Sequence, residues 1–152
     1  MHGQERKNMS AEQARELIKS GSASCVIVSE NEIIHTANGR GVAPLLAVYR
    51  TAPEKLAGSY VFDKVIGKAA AVILILGGAR RAYGGVMSIA AREYLEAHGI
   101  PAEYGCLAER IQNRSGDGIC PIEQAVLDTA CPEECFARIE AAVRTLMAGK
   151  GG

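Results

Sequence analysis

Apolar and polar positions along this chain change their period several times, and each change marks an element. After a polar start, Ser10 precedes a helical stretch, and Gln13 three positions later gives the spacing of a capping box. "CVIVSENEIIHTA" follows, with two β-branched runs on either side of Glu30-Asn31, which predicts a β-hairpin. Asn38, Gly39 and Gly41 break the chain before "VAPLLAVYR", a short amphipathic helix that tolerates Pro44 in its first turn.

Gly58 opens "SYVF", a short strand running into Asp63. There the period changes again: "KVIGKAAAVILIL" is apolar on every side except at Lys64 and Lys68, as expected of a helix sandwiched in the core, and Gly77-Gly78 ends it. "ARRAYGGVM" predicts a strand, "SIAAREYLEAHG" a helix opened by Ser88, and "IPAEYGCL" a further strand. The polar loop "QNRSGDG" leads to two C-terminal helices, started by Pro121 and Pro132.

The order α-β-β-α-β-α-β-α-β followed by helices predicts an α/β fold: one mixed sheet carrying an antiparallel hairpin, with helices on both faces in three layers. At 152 residues the chain is the size of one domain able to bury a core without staples. Residues 1–9 are expected to be a disordered N-terminus and 10–149 a single domain. The longest apolar run, Ala69 to Leu76, is far short of the ~20 residues of a membrane span. Balanced charge, 17 basic against 17 acidic residues with no basic block, argues against a protein built to grip nucleic-acid backbone. Five cysteines, an odd number at irregular spacing behind a start that does not read as a secretory signal, predict reduced thiols and a cytoplasmic location.

Candidate chemistry gathers at three places. Asp63 reads as the cap of the buried helix, with Lys64 and Lys68 one turn apart behind it and Gly67 allowing a close approach. A helix N-terminus repels cations, so the lysines either reach to solvent and pair with carboxylates, or meet an anion that the helix dipole also attracts. Cys120 is the expected cap of the Pro121 helix, where its sulfur is either a packed thiol or a nucleophile facing unpaired amides. Glu123 lies at the third helical position as a capping carboxylate or a base. Asn113 and Arg114 sit in a loop that either merely connects or grips a ligand, and Ser88 is a cap or a ligand contact. Cys131-Pro-Glu-Glu-Cys135 mimics the zinc-deaminase Pro-Cys-x-x-Cys element in reverse order, and no His-x-Glu accompanies it, so neither a metal site nor a cofactor is expected.

The blocks "DKVIGKAA", "YGGVMS" and "NRSGDGICPIE", in that order, resemble a domain-of-unknown-function family of the DUF1893 type with the cytidine-deaminase-like fold. The resemblance implies a central mixed sheet with its site at the N-termini of two core helices, here Asp63 to Lys68 and Met87 to Ser88, without the zinc ligands. The resulting expectation is a domain that binds a small anionic, nucleotide-like molecule through Lys64, Gly67, Lys68, Ser88, Asn113 and Arg114. A thiol enzyme with Cys120 as nucleophile and Asp63 or Glu123 as proton carrier stays open, as do a regulatory or assembly role and a homo-oligomer.

Overall fold

The β1–β2 hairpin turns on Glu30 and Asn31, whose φ values of 49° and 70° are the paired left-handed residues that a tight antiparallel turn requires. The computed structural model describes residues 2–39, 41–111 and 120–151. Among them the elements run α1 (His2–Ser20), β1 (Cys25–Ser29), β2 (Glu32–Ala37), α2 (Ala43–Thr51), β3 (Tyr60–Ile66), α3 (Lys68–Gly77), β4 (Arg81–Ser88), α4 (Ile89–Ala97), β5 (Ala102–Ala108), α5 (Pro121–Ala125) and α6 (Pro132–Gly151), with a 3-10 turn at Pro53–Lys55. This is the order the hydrophobic periods predict. The helix expected after Ser10 instead runs from His2, so Ser10 is not its cap, and the Ser10 hydroxyl donates to the Asn31 carbonyl in the hairpin turn.

The five strands form one open mixed sheet in the order β2-β1-β3-β4-β5. β1 is antiparallel to both neighbours, whereas β3, β4 and β5 are parallel and joined through α3 and α4. Both connecting helices enter one core cluster with α2 and α6, so they cover the same sheet face. α1 covers the other face through Ala14 and Ile18, which pack on Val26, Phe62 and Tyr83. The chain is therefore a single three-layer α/β domain.

One boundary differs from the sequence reading. β3 continues through Asp63 and Lys64 to Ile66, and α3 begins only at Lys68, with Gly67 as its cap. Val61 and Ile66 both enter the α3-side core although an odd number of positions separates them, and so do Ala82 and Met87 on β4. Strict alternation would put each pair on opposite faces. Both strands therefore slip phase by one residue in step, since Asp63 pairs with Gly84 and Val65 with Val86.

Glycine makes the slip possible. A Cβ on Gly85 would lie 2.8 Å from the Lys64 carbonyl oxygen, and one on Gly105 would lie 3.0 Å from the Gly85 carbonyl oxygen. Gly85→Ala should thus force backbone apart across β3 and β4 and cost about 1–3 kcal/mol. Urea unfolding of the variant checks this, and an unchanged midpoint would refute the close approach.

Candidate functional site

α3 begins inside the protein, and its first amides find their acceptor far away in the sequence. The Glu123 carboxylate, on α5, accepts from Lys68 N at 2.7 Å and from Ala69 N at 3.0 Å. Glycine at the cap leaves room for this carboxylate, since a Cβ on Gly67 would lie 2.3 Å from Glu123 Oε1 and displace it from the amides. Glu123 thus serves α3 and not the start of its own helix, contrary to the capping expected from its third position. Burial pushes the Glu123 carboxyl upward, against the opposing pull of the Ala69 and Lys68 amides and the Lys68 charge.

Lys68 is also engaged. Its ammonium donates to the Thr129 carbonyl at 2.6 Å and lies 5.2 Å from the centre of the Tyr94 ring. Lys64 is on β3 rather than one helical turn before Lys68, and it is exposed. The helical pair expected from their spacing is therefore replaced by one strand lysine and one lysine at the helix start.

Asp63 does not cap α3 either. It is 3% exposed, faces the α3-side core, and pairs across the sheet with Cys25 on β1. Val65 N donates to its Oδ1 at 3.3 Å, while Oδ2 has no partner among the described residues. Burial raises this carboxyl to about 8, outweighing the Val65 and Lys64 amides that pull it down. The neighbouring Cys25 thiol is pushed up by its own burial and then by Asp63. Two acidic groups side by side in the core stay neutral because neither ion could be solvated there.

Ser88 caps α4 as predicted, its hydroxyl accepting from Ala91 N at 3.0 Å. Cys120 precedes Pro121 at the start of α5 but makes no side-chain cap bond, and it is half-buried. Asn113 and Arg114 lie outside the described residues. The fold thus brings Gly67, Lys68 and Glu123 together, sets Ser88 one strand away at the start of α4, and leaves Asp63 with Cys25 below them. No group of three His, Cys, Asp or Glu side chains among the described residues is placed to hold a metal ion.

A feature the sequence reading missed is an open cavity of about 550 Å³ lined by Val65, Val86, Ala108, Glu109, Arg110 and Ile111. It lies at the carboxyl ends of β3, β4 and β5, where parallel α/β sheets receive ligands. Arg110, two positions after the last strand, was the available signal. A second cavity, of about 310 Å³, runs between β2 and α2 past His35, Pro44 and Val48.

Fold and site together define a three-layer α/β domain with an open mixed sheet, whose first core-helix start is filled by its own glutamate. Residues 13–143 match the family described as TM1506, domain of unknown function (DUF1893), and the chain belongs to that family. A DUF1893 family protein (TM1506) from Thermotoga maritima has a similar crystal structure, with a TM-score of 0.78 and 24% identity over 86% of this chain and 88% of that one. Acinetobacter baumannii RibD is a distant neighbour, with a TM-score of 0.45 and 19% identity. That match covers 69% of this chain and 36% of RibD. No curated protein matches the sequence. No helix among the described residues is long and apolar enough to cross a membrane.

Two predictions follow from the buried carboxyls. Folding raises the Asp63 value from 3.8 to about 8, so the folded state holds a proton that the unfolded chain has lost. Its contribution to stability is complete below about pH 4 and is lost as pH rises through about 8. Asp63→Asn, which keeps the neutral shape, should melt above the parent at pH 9 and flatten the decline between about pH 4 and 8. Parallel melting curves would sink the assignment. Glu123→Gln keeps one acceptor but turns an amide group toward the helix amides, and it should cost about 1–3 kcal/mol by urea unfolding. An unchanged midpoint would mean that α3 does not depend on this carboxylate.

Proposed function

We propose that this chain binds a small anionic, nucleotide-like molecule in the cavity at the carboxyl ends of β3, β4 and β5. The observation that carries the reading is the cavity itself. Its volume of about 550 Å³ suits a small-molecule ligand, and its wall of Val65, Val86 and Ala108 meets a charged rim at Glu109 and Arg110. Lys64, exposed and next to Val65 in the chain, is a second cation within the same strand end.

The geometry shifts weight among the expected ligand residues. Lys68 and Ser88 already satisfy groups within the fold, and the Gly67 approach is taken by Glu123. Lys64 and Arg110 are therefore the proposed anion contacts, with Asn113 and Arg114, just beyond Ile111, retained as donors on sequence grounds alone. The thiol-enzyme reading has less support, since the Glu123 carboxylate is committed to α3 and Asp63 is enclosed beside Cys25. Two helix starts following adjacent parallel strands support the deaminase-like part of the resemblance, and five free cysteines support a reducing, cytoplasmic setting.

Thermal melting with inorganic phosphate, AMP and ATP tests the proposal. A ligand at 100-fold its Kd should stabilise by ~2.7 kcal/mol and raise Tm by several degrees. Lys64→Ala with Arg110→Ala should weaken that response at least ~tenfold, the loss expected from removing contacts worth ~1.4 kcal/mol. The proposal fails if none of the three anions shifts Tm, or if the double variant responds as the parent does.

A further inference from the structure

The segment between α5 and α6 straps the start of α3 and the second half of α4. Lys68 on α3 donates to the Thr129 carbonyl at 2.6 Å, and Tyr94 on α4 donates to the Ala130 carbonyl at 2.5 Å. Both acceptors stand immediately before Cys131. The first turn of α6 then holds the strap from below. Cys135 N donates to the Cys131 carbonyl at 2.9 Å, and the Cys135 thiol donates to the same Thr129 carbonyl at 3.3 Å. Cys131 is exposed, with its thiol on the Glu133 carboxylate at 3.2 Å, whereas Cys135 is fully buried.

Cys131 stands just before α6, and its carbonyl closes the first turn on Cys135 N, which puts the pair near the helical i, i+4 spacing of about 5–6 Å between Cβ atoms. A disulfide needs about 3.5–4.5 Å, a gap that opening one helical turn closes. The turn in question lies at a helix end and is bonded by the thiol that would leave it.

We infer that Cys131 and Cys135 are an oxidation-sensitive dithiol whose disulfide releases the strap from α3 and α4. The oxidant is a peroxide that reaches the exposed sulfur first. The Cys131 thiolate attacks the peroxide, its S–O bond forms as the O–O bond breaks, and the hydroxide leaving takes up the thiol's proton as water. The Cys135 sulfur then attacks the sulfenic sulfur. An S–S bond forms, the S–O bond breaks, and a second water departs with the Cys135 proton. Two thiols and one hydrogen peroxide thus give one disulfide and two waters. The Thr129 carbonyl loses the Cys135 thiol, the Cys131 to Cys135 backbone bond opens, and the hold on Lys68 and Tyr94 loosens.

Cleavage of the chain after glutamate makes the test specific, because Glu123, Glu133 and Glu134 separate Cys120, Cys131 and Cys135 onto different peptides. The full reduced chain is treated with a small excess of hydrogen peroxide, and the remaining thiols are blocked before cleavage. The expected products are a linked pair of peptides carrying Cys131 and Cys135, a Tm lowered by at least ~3 °C, and reversal of both by dithiothreitol. Cys131→Ser, a substitution at an exposed position, should form no such link and keep its Tm under the same treatment. Cys131 oxidised only to sulfinic or sulfonic acid, or linked to Cys106 or Cys120, would overturn the inference. So would a Cys131–Cys135 link that leaves Tm unchanged.

Discussion

The amides that open α3 have to find acceptors away from water, and the way they do so organises this end of the protein. α3 is buried from Ala69 through Leu74 and lies among α2, α4, α6 and the sheet. A helix so placed cannot use solvent at its start, and unpaired buried amides cost about 1–3 kcal/mol each. Glu123 supplies two acceptors and a negative charge where the helix dipole is positive. Reaching that position brings α5 against the cap, and Gly67 is the residue that leaves room for it. The strap through Thr129 and Ala130 follows, since the chain leaving α5 passes Lys68 and Tyr94 before α6 begins.

This arrangement shows why the partners of a buried helix start are not legible from the residues around it. Positive charge beside a helix start invites an anion, and at Gly67 and Lys68 the group that takes up the first free amides is intramolecular, the Glu123 carboxylate. Glu123 stands 55 positions from Lys68, and local spacing gives no hint of a pairing at that distance. The cavity at the strand ends is equally non-local, because its wall comes from β3, β4 and the segment after β5.

Elements set by local chemistry were readable in the chain. The Glu30-Asn31 turn, the Ser88 cap and the left-handed Gly78 that stops α3 all follow from what those residues do with their own backbone. The β3 to α3 boundary was not readable, for a physical reason. Asp63-Lys64 before an apolar run looks like a cap followed by a helix, and a strand with a carboxyl in its buried face breaks the usual rule. That exception stands because Asp63 is neutral in the core and Gly84, its partner on β4, has no side chain to crowd it. The in-step phase slip of β3 and β4 also lies beyond any period read from one strand, since each makes room for the other.

Charge is distributed unevenly between the two ends of the sheet, and the contrast bears on where a ligand can act. Near the starts of β3 and β4, Glu103 accepts from Arg15, Arg81 and the Tyr60 hydroxyl, while the two guanidinium groups lie over Tyr83 and Tyr60. Those cations are balanced by a carboxylate and stacked on rings, so they hold α1 and β5 to the sheet. At the carboxyl ends, Glu123 and Lys68 are similarly spent on the fold, and burial favours the neutral form of Asp63. None of the described residues pairs with Lys64 or Arg110 in a salt bridge. Among the described residues these two cations are therefore not neutralised by a carboxylate, and they stand beside an apolar wall. The helix start that first draws attention is thus occupied by groups of the fold itself, the Glu123 carboxylate and the Thr129 carbonyl.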